Sequence, residues 1–229
     1  MAKQKLAVLT GAGISAESGL RTFRDSDGLW EGYRIEDVAT PRAWRRDPAL
    51  VLDFYNMRRR DVLAAQPNAA HKALATLQEY YDVQIITQNI DDLHERAGSV
   101  NVMHLHGEIL KMRSERNHYT LYPITEDMVP GQLADDGSMY RPHVVWFEEP
   151  VPMIEEAIPH MAEADVFILI GTSLAVYPAA GLVDYVPDEV VKYVVDKRIP
   201  SVSRYSNVVP IEQPATAGMT FLLQLLSGK

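Results

Sequence analysis

The run Leu6–Arg24, LAVLTGAGISAESGLRTFR, passes from an apolar strand into glycines and then into small residues. Gly11, Gly13 and Ala16 fall on the G-x-G-x-x-[G/A] spacing that follows the first strand of a dinucleotide-binding unit. Gly11 permits a tight turn, Gly13 admits backbone N–H groups close to a pyrophosphate, and small Ala16 allows a helix to pack closely on the strand. The phosphates are then expected at the positive end of that helix. The alternative is a glycine turn with a purely structural role. An ordinary dehydrogenase would carry an acid at the end of a second strand about twenty residues further on. Glu36 and Asp37 stand there, but Tyr33–Thr40 has no strand pattern, so the reading is a nucleotide site not built for standard hydride transfer.

Three further groupings carry reactive types. Gln88, Asn89 and Asp91 follow the apolar run VQIIT; amides and a carboxylate there suit a carboxamide and ribose hydroxyls. A polar loop with a helix cap at Asp91 or Asp92 is the plainer alternative. In His104-Leu105-His106-Gly107 the two imidazoles would share one face of a strand, since side chains repeat every two residues. Histidine titrates near neutrality and can take a proton from a ribose hydroxyl without a metal. A metal pair or a structural histidine is the competing reading, and no further ligand cluster supports the metal. Gly171-Thr172-Ser173 offers a second glycine turn, with hydroxyls for phosphate or ribose.

These groupings sit at or near the ends of short apolar runs: 6–10, 83–87, 101–107, 143–147, 166–171 and 192–196. The runs predict a doubly wound parallel sheet in an α/β fold, which binds ligands beyond the carboxyl ends of its strands. Helical patterns occupy 48–64, 69–80, 152–162 and 216–226. Two segments interrupt the alternation, 25–67 and the polar, turn-rich 114–142, and two such additions to one sheet would leave a cleft.

Hydrophobic content of 47% suffices for a substantial core, and a formal charge of −9 argues against nucleic-acid binding while favouring a cationic partner such as a lysine-rich tail. The chain has no cysteine, which removes disulfides, thiolate metal sites and a cysteine nucleophile together. No apolar run is long enough for a membrane span, and 1–6 is too short and polar for a signal peptide. A soluble cytoplasmic protein with no membrane partner is expected.

In order and separation, GAGISAESGLRTFR, TQNIDDLHERAG, HLHGE and GTSLAVYPAA resemble the sirtuins, NAD-dependent protein deacylases, over about Leu6–Ala180. The resemblance implies a Rossmann-like large domain (1–25, 68–113, 143–229), an inserted helical segment (26–67) and a small insert (114–142), with NAD in the cleft. It implies that Gly11, Ala12, Gly13 and Ala16 line the pyrophosphate and ribose, and that Phe23 and Arg24 cover the nicotinamide side. Gln88, Asn89 and Asp91 would hold the nicotinamide ribose and carboxamide, with Asn89 in the catalytic group. His106 would be the general base, and Gly171, Thr172 and Ser173 would face the adenosine half. HVVWFEEP resembles the family's substrate strand, placing Val145 and Phe147 beside an acyl-lysine peptide, although Glu148 replaces a glycine.

Ala39, Tyr55 and Arg58 resemble the subgroup that accepts succinyl and malonyl groups. Tyr55 and Arg58, three apart on a helix, could meet one carboxylate together; otherwise Arg58, Arg59 and Arg60 form a solvated edge. Sirtuins commonly carry two C-x-x-C zinc pairs in the small domain. Here 114–140 has none, so zinc is not expected, and Tyr119, Leu121, Tyr122, Met128, Leu133 and Met139 would have to hold the insert. Asp196 stands where the family often has an asparagine. The implied activity is removal of acetyl, succinyl or malonyl groups from lysine, giving nicotinamide and O-acyl-ADP-ribose. An ADP-ribosyltransferase, an NAD hydrolase and a weakly catalytic NAD-responsive binder are the rivals. Oligomeric state stays open, a monomer included.

Overall fold

The structure, a computed structural model, describes residues 2–22, 29–30 and 32–228. Phe23 and Arg24 lie outside the described residues. Among the described residues nine strands carry the architecture: β1 Lys5–Thr10, β2 Asp82–Thr87, β3 Val102–His104, β4 Gly107–Ser114, β5 Leu121–Pro123, β6 Tyr140–Val144, β7 Val166–Ile170, β8 Val191–Val195 and β9 Val208–Ile211. A short hairpin pairs Leu29–Trp30 with Tyr33–Arg34. The helices are α1 Ile35–Val38, α2 Pro41–Arg46, α3 Pro48–Ala64, α4 Ala69–Leu77, α5 Leu93–Arg96, α6 Met153–Ala162 and α7 Ala215–Ser227.

The main sheet runs β9-β8-β7-β1-β2-β3, parallel throughout. Strand order reverses between β1 and β7, the switch point at which such sheets open a crevice. Both faces are covered, as a parallel sheet requires. Along β1, Leu6 and Val8 point to a core shared with Leu74 and Leu77 of α4 and Met219 and Leu222 of α7. Ala7 and Leu9 point the other way, toward Ala157 and Met161 of α6. A third core, including Trp44, Phe54, Tyr55 and Trp146, lies between α3 and the small sheet.

Local signals explain the helix starts. Asp47 accepts from the Leu50 N–H at 3.0 Å with Pro48 at the first helical position, so α3 begins where the sequence expects it. Thr40 caps α2 in the same way, accepting from the Ala43 N–H at 3.0 Å ahead of Pro41.

Three expectations need correction. The run 143–147 is not a parallel strand: β6 ends at Val144 and joins β4 and β5 in an antiparallel sheet ordered β5-β4-β6. The Glu149 carboxylate takes the Trp146 N–H at 2.8 Å, which turns the chain out of the ladder. A continuous apolar run does not reveal by itself what it is buried against. The stretch 101–107 is not one strand either. It breaks at a turn over Leu105 and His106, so the two histidines do not share a strand face. The sixth parallel strand is β9, a short edge strand whose Pro210 weakens its signal in the sequence. The small sheet thus draws on 107–113 and 143–144 as well as on the irregular segment 114–142.

Candidate active site

At the switch point the two glycine turns interlock. The Gly11 N–H donates to the Ile170 carbonyl at 3.0 Å and the Gly13 N–H to the Gly171 carbonyl at 2.9 Å. A Cβ on Gly13 would stand 2.6 Å from the Gly171 Cα, and one on Gly11 would stand 2.8 Å from the Gly171 oxygen. Gly171 itself has φ +60°. The immediate need for these glycines is therefore the contact of backbone with backbone, and the Gly13 N–H is already committed to it. Among the described residues no α-helix follows the first turn directly. Two short 3-10 turns, Ala12–Ile14 and Ala16–Ser18, end at Gly19 with φ +90°. Asn68 holds them from α4, donating to the Ile14 carbonyl at 2.8 Å and to the Ser18 hydroxyl at 3.0 Å.

A cavity of about 600 Å³ opens over this junction, within the usual range for small-molecule sites. Gly11, Ala12, Gly13 and Ala16 line it on one side, and Gly171, Thr172 and Ser173 line it beside them. Gln88, Asn89, Asp91 and His106 form its middle. Ala39, Tyr55, Arg58, Val145 and Phe147 close the far end, and Asp196 lies on the near one. The residues that the resemblance assigns to coenzyme and substrate, as far as they are described, thus line one space.

The middle of the cavity is held by hydrogen bonds. The Asn89 N–H donates to Thr87 Oγ1 at 3.0 Å and its side-chain amide to Ser15 Oγ at 3.2 Å. Ser15 Oγ donates to Asp91 Oδ2 at 3.0 Å, and Asp91 Oδ1 accepts from the Leu93 N–H at 3.1 Å. Burial pushes the Asp91 carboxyl up against these bonds, which favour its ionised form. Gln88 donates to Thr172 Oγ1 at 3.2 Å, tying the middle to the second turn.

His106 Nδ1 lies 3.0 Å from the Gln88 carbonyl. A carbonyl only accepts, so Nδ1 carries the proton and Nε2 is left with its lone pair. Burial lowers the imidazole below its ordinary value, partly opposed by that carbonyl. A neutral ring with a free Nε2 at a cavity wall is a general base available at neutral pH. His104 turns elsewhere, toward the Asn89 carbonyl and Glu95, both at 2.8 Å. Among the described residues no group of three or more His, Asp or Glu is placed to hold a metal ion.

At the far end, Tyr55 is buried and its hydroxyl has no hydrogen-bond partner among the described residues. Burial pushes its pKa up. Arg58 is also buried, with its guanidinium carbon 5.5 Å from the centre of the Trp30 ring. Arg59 is buried too, donating to the carbonyls of Ile109 at 3.0 Å and Glu126 at 3.2 Å. Only Arg60 is solvated, paired with Asp127, so the three arginines do not make one basic edge.

The segment after β6 has its N–H groups engaged: Val145 donates to the His106 carbonyl at 2.9 Å, Trp146 to Glu149, and Phe147 to the Ala39 carbonyl at 3.0 Å. An added peptide strand must use other groups of this segment. Glu148 adopts φ +75°, the left-handed region that a glycine enters freely, and pairs with Arg42.

The sequence reading missed Ser15, His71, Thr10, Thr87 and His94. Thr10 Oγ1 donates to Thr87 Oγ1 at 2.8 Å and lies 3.2 Å from His94 Nε2, and the rings of His94 and His71 meet edge to face at 5.0 Å. The one available signal was a hydroxyl inside the glycine turn, at Ser15.

The Sir2 family model matches residues 11–178. An "NAD-dependent protein deacylase" of Helicobacter pylori (strain ATCC 700392 / 26695) is 49% identical, over 97% of this chain and 97% of that protein. Among solved structures, a Sir2 homologue in complex with NAD superposes with a TM-score of 0.87 at 38% identity, covering 97% of this chain and 89% of the other. A Sir2 protein bound to acetylated peptide gives 0.82 at 28% identity, covering 99% and 94%. The switch-point glycines fall inside the matched region, and the likeness extends beyond it over nearly the whole sequence; this chain belongs to the Sir2 family.

Proposed function

We propose that the protein is an NAD-dependent protein-lysine deacylase, producing free lysine, nicotinamide and O-acyl-ADP-ribose. The observation that carries this reading is His106, a neutral imidazole fixed by the Gln88 carbonyl with Nε2 unprotonated at the cavity wall. The family match and the name of the Helicobacter relative support it. The donor set fits the coenzyme: two amides and a carboxylate at Gln88, Asn89 and Asp91 suit a carboxamide and ribose hydroxyls, while Thr172 and Ser173 offer hydroxyls to the adenosine half. NAD supplies the electrophilic ribose carbon, the nicotinamide leaving group and the hydroxyl that receives the acyl group.

The protein's own residues position and deprotonate. Gly11, Ala12, Gly13 and Ala16 would hold the pyrophosphate side, and Gly171 keeps the second turn close enough to continue that wall. Asn89 and Asp91, fixed through Ser15, would orient the nicotinamide ribose, the side to which the family resemblance also assigns Phe23 and Arg24. His106 Nε2 takes a proton from the ribose. Val145 and Phe147 flank the acyl-lysine, whose protein substrate is an acylated chain such as the peptide in the related complex.

An acidic acyl group is the preferred cargo. Arg58 supplies a buried cation and Tyr55 an unpartnered buried hydroxyl at the cavity's far end, beside small Ala39. A carboxylate offers the Tyr55 hydroxyl an acceptor and the Arg58 side chain an opposite charge, whereas an acetyl methyl offers neither.

His106→Ala is expected to lower deacylation about a hundredfold or more while calorimetric NAD affinity stays close to wild type. Deacylation at the wild-type rate would overturn the assignment. Mass spectrometry of products from acetyl-, succinyl- and malonyl-lysine peptides separates the alternatives: acyl-ADP-ribose marks the deacylase, ADP-ribosylated protein the transferase, and unchanged NAD the binder.

A further inference from the structure

His104 stands between two groups that can only accept. Nδ1 is 2.8 Å from the Asn89 carbonyl, and Nε2 is 2.8 Å from Glu95 Oε1 on α5. A neutral imidazole has one N–H, so with an ionised Glu95 it would face one of these oxygens with a lone pair. We propose that His104 is a positioning residue held as an imidazolium, bridging Glu95 to the Asn89 carbonyl and fixing the 88–91 loop for coenzyme binding. This rests on the reading that the loop meets NAD.

The surroundings favour charge. Burial alone would lower the imidazole, but the hydrogen bond and charge of Glu95, the Asn89 carbonyl and the charge of Glu108 on β4 raise it overall. Burial would raise Glu95, yet His104 and Lys111 keep it low, so the carboxylate is the form that faces the ring. Lys111 is itself paired with Glu108 at 2.7 Å. On the loop side the cation also favours the ionised form of Asp91. His94, the remaining titratable neighbour, is lowered chiefly by burial and further by His71 and His104, so it stays neutral.

Asn89 shows why the bond matters. Its N–H is held by Thr87 and its side-chain amide by Ser15, and its carbonyl is held by His104. Of these three anchors only the last carries charge, and a hydrogen bond to a charged partner is the stronger kind. When the ring loses a proton it keeps its bond to the carboxylate, the better acceptor, and releases the carbonyl. Since the folded-state value is raised, the anchor is complete at low pH and is lost as pH rises through that value.

The experiment combines nitrogen-detected NMR of the histidines with calorimetric NAD affinity across pH 5.5–9.5. In the wild type both ring nitrogens of His104, assigned by their loss in His104→Asn, should be protonated at pH 7, and NAD affinity should fall about tenfold through its titration. Glu95→Gln supplies an amide that can donate to Nε2, so a neutral ring keeps its Nδ1–H on the carbonyl and this alkaline loss should vanish. His104→Asn, whose amide can replace Nδ1–H and cannot titrate, should bind NAD near the wild-type level without the loss. His104→Ala should bind more weakly at every pH. One protonated nitrogen at pH 7, or an unchanged alkaline loss in Glu95→Gln, overturns the proposal. If wild-type protein binds no NAD, the deacylase reading fails instead, and the NMR titration still decides the charge of His104.

Discussion

On the sheet side of the cavity, Gly11 and Gly13 meet Gly171 backbone against backbone; on the α3 side, Ala39, Tyr55, Arg58 and Trp146 bound the same space with side chains. The first wall tolerates no added atom. The second is a packing of rings and buried polar groups, including a hydroxyl without a partner and a guanidinium beside an indole. The contrast separates what must be common to any coenzyme-binding version of this fold from what can be tuned to a particular acyl group. Substitutions on the sheet side should cost stability and coenzyme together, and those on the α3 side should change selectivity.

The largest effect is expected from Gly13→Ala. Its Cβ would lie 2.6 Å from the Gly171 Cα and 2.7 Å from the Gly171 oxygen, both backbone atoms that cannot swing aside. Chemical denaturation should show a loss of about 3 kcal/mol or more, and calorimetry should show no NAD binding. A stable, NAD-binding Gly13→Ala would show that the two turns are free to separate, and the contrast between the walls would fail.

Arg58→Met tests the opposite wall. Activity on succinyl-lysine should fall about thirtyfold in kcat/KM, the equivalent of about 2 kcal/mol for a lost charge-assisted contact. Acetyl-lysine turnover and NAD affinity should change little. Equal losses on both substrates would mean that Arg58 supports the wall without reading the acyl group.

The two walls also differ in how much of them can be read from residue order. Gly11 and Gly13 announce themselves because backbone contact admits one residue type, and a strand followed by such a turn is a local pattern. Their partner Gly171 lies far along the chain, and the interlock itself, with its claim on the Gly13 N–H, is invisible until both turns are placed. The α3 helix was legible through its periodicity, and the Asp47 cap and Pro48 explain its start once the structure is seen. Arg59 was not: nothing local distinguishes it from solvated Arg60, because its partners are the carbonyls of Ile109 and Glu126. The segment 143–147 misled for the same reason, since its strand is ended by the Glu149 carboxylate and not by a turn residue. His104 and His106 looked like one pair and became two different devices once a turn fell between them.

Asn56 extends the comparison to the small sheet that rests on α3. Its side chain donates to the Met128 carbonyl at 2.9 Å and accepts from the Met128 N–H at 2.8 Å and from Arg59 at 2.7 Å. Asn56→Ala should therefore cost about 1.5 kcal/mol, through buried backbone groups left unpaired. Amide exchange should rise around Met128 while calorimetric NAD affinity holds. Of the apolar residues expected to hold this region, Met128 is buried and Tyr122 packs edge to face on Tyr140 at 5.5 Å, but Tyr119 and Leu133 are exposed. Apolar contact explains only part of its order.

The remainder comes from a polar knot, and it yields the smallest expected effect. Asp136 accepts from Ser114 Oγ at 2.5 Å and from the Ser138 N–H and hydroxyl at 3.0 and 2.7 Å, while Ser114 Oγ accepts from the N–H groups of Arg116 and Asn117 at 3.0 and 3.2 Å. Ser114, then Ser138, hold the Asp136 carboxyl down from its ordinary 3.8 to about 2. With a lowered folded-state value, the contribution is complete above the ordinary value and is lost as pH falls toward about 2. Asp136→Asn should melt slightly below wild type at pH 6, and the two melting temperatures should converge between pH 4 and pH 2. A constant gap across that range would mean that the side chain acts by shape alone. Convergence would show that the small sheet depends on a carboxylate, where the glycine wall depends on backbone contact.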